Sequence, residues 1–418
     1  MTQTQPPQQT SVPQEHAPPR TAGSSESTGK PSGGPSMGRL VGVDLARALA
    51  VFGMYIVHIG PALSSTHGVG TWVRYLADGH SSVLFATLAG FSLMLIAGRR
   101  EPKTGLAGRQ AKARIAIRAV ILLALGTVLA MEYGGVIILG FYGVYFLLAL
   151  PMLRLSAKAL AITAAGLALV TPQLAFALNS QLSESVQQTV NAYDPLKKVS
   201  EVGVLDLLLT GFYPTITWMS FVVAGMALAR LDLSAVSVQR RLAALGAALT
   251  AGAYGLSLLV AGKDALRSMA EGGKSSGAFE KGPSFGSGSF DAPQRAASEL
   301  LTAGPHSGTT FDIIGSVGVA ILVIVGATVL MDRVARLRRL ARPVIAVGTM
   351  SLTAYVGHFL AQSVLGVSAG ESSQASWIPV LAFILGAIVF AALWSRFFRR
   401  GPLEALLNAA TKPAKHVR

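Results

Sequence analysis

Cysteine is missing from all 418 residues. That excludes a disulfide framework, a thiolate metal site and a cysteine nucleophile. Charge is also scarce: Asp, Glu, Lys and Arg make up 13% of the chain, where a soluble domain carries about a quarter. Acidic residues are the scarcer sign, 20 against 35 basic, for a formal net charge of +15. Neither a Gly-x-x-x-x-Gly-Lys-Ser/Thr loop nor a His-Glu-x-x-His pair occurs, so the usual nucleotide cradle and helix-borne zinc site are absent. Chemistry is left to His, Ser, Asp and Glu, with no metal site indicated.

What is abundant is apolar. Hydrophobic residues reach 51% and the mean hydropathy is +0.52, which describes an all-α polytopic membrane bundle. Residues 1–38, rich in Gln, Pro, Ser, Thr and Gly, read as a disordered tail and not as a signal peptide. About ten apolar segments follow, each about 17 to 25 residues long. They lie at 40–63, 81–98, 113–131, 135–153, 157–179, 204–230, 242–262, 310–331, 343–366 and 376–398. The sixth has room for a short re-entrant or interfacial piece before Tyr213-Pro214. Together, 39–400 form one transmembrane domain, and 401–418 a short interfacial helix and tail.

Placement of the basic residues argues against nucleic acid and for topology. Arg99, Arg100, Lys103, Arg109, Lys112, Arg114 and Arg118 follow the second segment, and Arg333 to Arg342 follow the eighth. Most of the 35 basic residues fall in every second connector, which puts both termini in the cytoplasm of a plasma-membrane protein. The outer regions are then 64–80, 180–203 and 263–309, the last low in complexity and flexible over 263–304.

Segment one carries three ionisable groups. Asp44 and Arg47 share a face near one end, and His58 stands roughly 21 Å further along at 1.5 Å per residue. Charges inside a span are costly and mark function by default. Of seven histidines, His16 and His416 lie in the tails. The other five, His58, His67, His80, His306 and His358, all fall in outer loops or outer halves of segments. This pattern describes a polar cavity open to the outside, with a histidine as general base. Asp312 and Asp78 are the carboxylates expected to orient it. Each outer-loop histidine could instead be solvated. Asp44 and Arg47 could be a neutralised pair, or Arg47 an anchor for a phosphate-bearing donor. Tyr213 and Trp218 suit either an aromatic belt or stacking on a sugar. The small residues in Ala89-Gly90-Phe91-Ser92 and Gly225-Met226-Ala227 suit close helix packing.

The stretch Arg39-Leu-x3-Asp44-x2-Arg47-x6-Met54-x3-His58 resembles the first span of the transmembrane acyltransferases related to heparan-α-glucosaminide N-acetyltransferase. Four later stretches are similar to signatures of its bacterial branch. They are Asp78-Gly-His-Ser-Ser through Gly90, Tyr213-Pro-x3-Trp218 through Arg230-Leu-Asp232, Pro305-His-Ser-Gly-Thr-Thr-Phe-Asp312, and Gly348-Thr-Met-Ser through His358. With Gly401-Pro-Leu-Glu404 they cover nearly all of the chain after residue 38. The resemblance implies a membrane enzyme carrying an acyl group, acetyl foremost, from cytoplasmic acyl-CoA to an acceptor on the far side. Acyl-CoA would be a co-substrate, with no tightly bound cofactor. An extracytoplasmic glycan, lipid or small molecule would be the acceptor, membrane lipids the surroundings, and a homodimer is compatible. Carried onto this chain, His58, His67, His306 and His358 are the catalytic candidates, and Asp44 and Arg47 hold the donor. His80, Tyr213, Trp218 and Asp312 line the acceptor side. Two departures bear on this. In the eukaryotic branch the histidine aligns with the loop 64–72, which makes His67 a rival to His58, and the bacterial branch often has Arg where His80 stands. The competing function is a transporter or flippase of an anionic lipid or small solute, which would show repeat symmetry and a midplane site.

Overall fold

The computed structural model describes residues 1–2, 40–200, 202–262, 265–266, 297–367 and 376–417. The tail at 1–38 and most of the loop at 263–304 lie outside the described residues, apart from residues 1–2 and short pieces of the loop. The remainder is helical. In chain order the helices are α1 (Val41–Ile59), α2 (Val69–Ala77), α3 (His80–Ala97), α4 (Gly105–Tyr133), α5 (Ile138–Ala149), α6 (Ala157–Gln181), α7 (Glu184–Tyr193), α8 (Pro195–Ser200), α9 (Thr215–Ala229) and α10 (Val236–Ala261). They continue as α11 (Thr310–Arg333), α12 (Ala335–Leu340), α13 (Arg342–Thr349), α14 (Ser351–Leu365), α15 (Ile378–Phe397) and α16 (Pro402–Ala410).

All ten apolar segments contain helices, but not all cross alone. Among the described residues seven segments are long and apolar enough to span a bilayer. An eighth is the pair α13–α14, bent by 87°. The fourth and sixth segments contain the shorter helices α5 and α9, of 12 and 15 residues. At 1.5 Å per residue, α9 rises only about 22 Å, short of the ~30 Å hydrocarbon core. Most residues of both short helices are buried among longer neighbours, with Leu147 and Leu148 of α5 exposed. Irregular backbone at membrane depth is tolerated when protein covers it. The expected break before Pro214 is such a case, and its polar groups are satisfied. Gly211 N donates to Asp206 O at 2.9 Å, Thr215 Oγ1 donates to Leu207 O at 2.6 Å, and Tyr145 OH donates to Tyr213 O at 2.5 Å.

Helix α1 is buried nearly all round, as its apolar faces require. It packs on α3, α11 and α13. The α13 contact is backbone to backbone: any Cβ on Gly348 would collide with the carbonyl of Asp44. A similar close approach joins α3 to α9, where Gly90 faces the Val222 carbonyl and Gly225 the Thr87 carbonyl, as the small residues there predict. By contrast α15 buries only Val380 and Ala391 and exposes Leu381, Leu385 and Leu393 to the lipid side.

The bend before α14 leaves that helix with orphan N–H groups inside the protein. Glu404 of α16 meets them: Oε1 accepts from Leu352 N at 2.8 Å and Thr353 N at 3.1 Å, and Oε2 accepts from Thr353 Oγ1 at 2.5 Å. A helix, Pro402–Ala410, does lie in the expected stretch 401–410, and it also supplies the cap of α14.

Candidate functional site

At the N-terminal end of α1, Arg47 Nη1 donates to Asp44 Oδ1 at 2.7 Å and Nη2 donates to Ser92 Oγ at 2.9 Å. The pair is the i, i+3 neighbour predicted from spacing, and Ser92 on α3 fixes the guanidinium. Arg47 also lines a cavity of about 130 Å³ together with Phe85, Ser92, Arg118, Tyr142 and Leu352. Two lining groups are buried without a hydrogen-bond partner among the described residues, Arg118 Nε and Tyr142 OH. Leaving such groups unpaired costs about 1–3 kcal/mol each. In the sequence Arg118 reads first as a topology signal, with donor binding the lesser alternative; its place in the cavity depends on how α4 lies against α3 and α5.

Aromatic rings run from this cavity to the other end of α1. Phe85 is stacked between Tyr142 (centroids 5.7 Å) and Tyr355 (5.8 Å). Tyr355 meets His358 edge-on at 5.4 Å, and its hydroxyl accepts from Ile138 N at 3.3 Å. His358 in turn lies parallel to His58, with centroids 5.2 Å apart and 15° between the planes.

The two imidazoles are joined directly, Nδ1 of His58 to Nε2 of His358 at 2.9 Å. Their tautomers follow from the next contact. His358 Nδ1 faces the carbonyl oxygen of Tyr355, which can only accept, so that nitrogen carries the proton. Nε2 of a neutral His358 is then an acceptor, and His58 Nδ1–H donates to it. His58 Nε2 is left as a lone pair, with no hydrogen-bond partner among the described residues. Tyr55 OH, donating to Ala354 O at 2.8 Å, ties α1 to α14 beside the pair. What orients His58 is thus a second histidine and not a carboxylate.

The expected orienting carboxylates lie elsewhere. Asp78 is buried 3.9 Å from Arg74 of α2. Asp312 lies in the first turn of α11, accepting from Gly308 N at 3.1 Å and from Ser316 Oγ at 3.0 Å, while Thr309 caps the helix. Arg74 is within electrostatic reach of both His58 and His306. No local sequence pattern marks Arg74.

His306 occupies a second focus. Its backbone is left-handed, φ +61, a conformation in which histidine is enriched among the rare non-glycine residues. Phe212, Tyr213 and Trp218 enclose the ring at 4.3, 5.7 and 5.8 Å. Tyr213 and Trp218 are each 3% exposed, so neither stands at a surface belt. Burial pushes the His306 imidazole down to about 4, with Asp78 opposing and His80 and Arg74 assisting, which leaves it neutral. Its Nδ1 is buried without a hydrogen-bond partner among the described residues. His80 sits nearby at the start of α3, bonded to Tyr254 OH at 2.8 Å. His67 is exposed in the loop before α2.

Residues 39–266 match the family described as Heparan-alpha-glucosaminide N-acetyltransferase, catalytic. Residues 293–413 match the family described as Protein of unknown function (DUF418). No curated protein matches the chain. His58 belongs to the first matched region and His358 to the second, so the imidazole pair joins the two. With more than half its length in the first match, on an all-helical membrane bundle, the chain belongs to the heparan-alpha-glucosaminide N-acetyltransferase catalytic family of membrane acetyltransferase-like proteins.

Proposed function

We propose that the protein moves an acyl group, acetyl foremost, from cytoplasmic acyl-CoA to an acceptor on the outer face of the plasma membrane. The observation that carries this reading is the layout of α1. A cationic cavity lies at one end, a base with a free lone pair at the other, and stacked aromatic rings lie between. Arg47 and Arg118 would attract the donor's phosphates, with Asp44 holding Arg47 in place. The basic turns around Arg99, Arg100 and Arg230 would set this end, and both termini, in the cytoplasm.

His58 Nε2 takes the proton from the acceptor's amine or hydroxyl as that atom attacks the thioester carbonyl. The new C–N or C–O bond forms, the C–S bond breaks, and the leaving thiolate takes up the proton that His58 received, which restores the neutral imidazole. His358 steadies the imidazolium by accepting from Nδ1–H, while its own Nδ1–H stays on Tyr355 O. The family's description names heparan-alpha-glucosaminide as an N-acetyl acceptor, so an amino sugar is the first acceptor to try. Envelope glycans and lipids are the next class.

The test is transfer of labelled acetyl from acetyl-CoA in nanodiscs, beside glycan and lipid mass spectrometry of a deletion strain complemented with wild type or His58→Ala. An acyl-dependent mass that returns only with the wild type supports the reading. Absence of such a mass from every fraction, with full solute-uptake defects instead, would favour transport.

A further inference from the structure

Outside the His58–His358 pair, four polar side chains from three helices form an unbroken hydrogen-bonded line. His80 of α3 meets Tyr254 OH of α10 at 2.8 Å, Tyr254 OH meets Ser316 Oγ of α11 at 3.1 Å, and Ser316 Oγ meets Asp312 Oδ1 at 3.0 Å. Both ends are tied off. His80 Nδ1 lies 3.0 Å from the carbonyl of Asp78, and Asp312 Oδ2 accepts from Gly308 N at 3.1 Å. The line is fitted into the packing: the Tyr254 ring lies where a Cβ on Gly315 would be, one residue before Ser316. Asp312 and Ser316 are buried, at 5% and 3% exposure.

Counting hydrogens decides its state. Because a carbonyl only accepts, His80 Nδ1 carries a proton, and Nε2 is the end facing Tyr254. Three contacts then need three hydrogens. A neutral His80 with an ionised Asp312 supplies two, from the tyrosine and serine hydroxyls. One contact would join two lone pairs in a buried site, at a cost such sites avoid. One more proton completes the line in either direction. With the proton on Asp312, the carboxyl donates to Ser316, Ser316 to Tyr254 and Tyr254 to His80. With it on His80 Nε2, every bond reverses and Asp312 becomes the carboxylate. The two forms carry the same overall charge and differ by one hop along each bond.

We infer that His80, Tyr254, Ser316 and Asp312 form a proton wire holding one shared proton between the His80 imidazole and the Asp312 carboxyl. Among the described residues, the charged and titratable groups facing it are Asp78 and Tyr75 from the α2 side and His306 from the loop before α11, with Arg74 beside His306. Arg74 and His306 are also within electrostatic reach of His58. Resting on the proposed acyl transfer, the wire stands at the end of the bundle where the acceptor gives up its proton, and it positions and stores a proton without touching substrate.

Infrared difference spectroscopy of the full chain in nanodiscs tests this without turnover, so its failure is separable from failure of the acyltransferase reading. Asp312→Asn assigns the carboxylic-acid band and His80→Gln the imidazole bands. The expected result at pH 7 is one proton in total over the two groups, with either band growing only as the other falls. Tyr254→Phe keeps the ring but removes the middle hydroxyl, and should move the loss of that proton to lower pH; Ser316→Ala should do the same. Zero or two protons at pH 7, or a Tyr254→Phe titration identical to wild type, overturns the wire.

Discussion

The His58 lone pair is defined by a carbonyl two steps away. Tyr355 O fixes the tautomer of His358, and His358 fixes that of His58. If His58 is the base, His58→Ala should lower labelled acetyl transfer by about 10²–10⁴-fold. His358→Gln, which leaves the base present but unguided, should cost roughly 10²-fold or less, mostly in kcat. Equal losses from both would instead mean that the imidazoles act as one unit. His306 makes a separate, structural prediction. Its folded-state imidazole protonates near 4, whereas the ordinary value is 6.5. The unfolded chain therefore binds that proton more readily, and stability from this group is complete above 6.5 and lost as pH falls toward 4. Thermal melts in detergent should show this acid limb, and His306→Phe should flatten it. Some of these residues could be read from spacing alone, such as the Asp44–Arg47 pair. Tyr254, Arg74 and Arg118 could not, because each gains its meaning from a helix far away in the chain.

Among the elements, α14 is the one whose position matters most, since it carries His358. Two neighbours hold it: Gly348 lets α13 lie against α1, and Glu404 caps the first turn. Gly348→Ala forces α13 away from the Asp44 carbonyl and should destabilise by about 1–3 kcal/mol, read as a lower melting temperature. Glu404→Ala strips acceptors from Leu352 N and Thr353 N and should cost about 0.5–2 kcal/mol, as other N-terminal caps do. Glu404→Gln, which keeps one acceptor oxygen, should retain part of that. Hydropathy foresaw an apolar segment at 343–366 but not its 87° bend. The break at Thr349–Met350 has no proline to announce it. Its capping residue lies about fifty positions on, beyond the reach of any local pattern.

For the whole molecule, the absence of cysteine becomes an experimental asset, since any introduced thiol is the only one. His67 is exposed in the loop before α2, and Lys103 lies in the turn after α3. With the Arg47 end cytoplasmic, His67→Cys should react with an impermeant maleimide in intact cells and Lys103→Cys only after permeabilisation. The reverse result would invert the proposed direction of transfer. Activity retained in His67→Cys would also remove it as a rival base. The apolar segments, their helical state and the tightly packed glycine surfaces were all readable in the sequence, because hydropathy and side-chain size act locally. Which segments stop short of spanning was not, because most of α5 and α9 is covered by other helices, a long-range property.

The cap that Glu404 places on α14 also has a consequence for biosynthesis. His58 enters the membrane early, but its partner and the carboxylate that secures the partner's helix come 300 and more residues later. During synthesis the imidazole pair therefore has to wait for α14, and the start of α14 stays uncapped until Glu404 of α16 has been made.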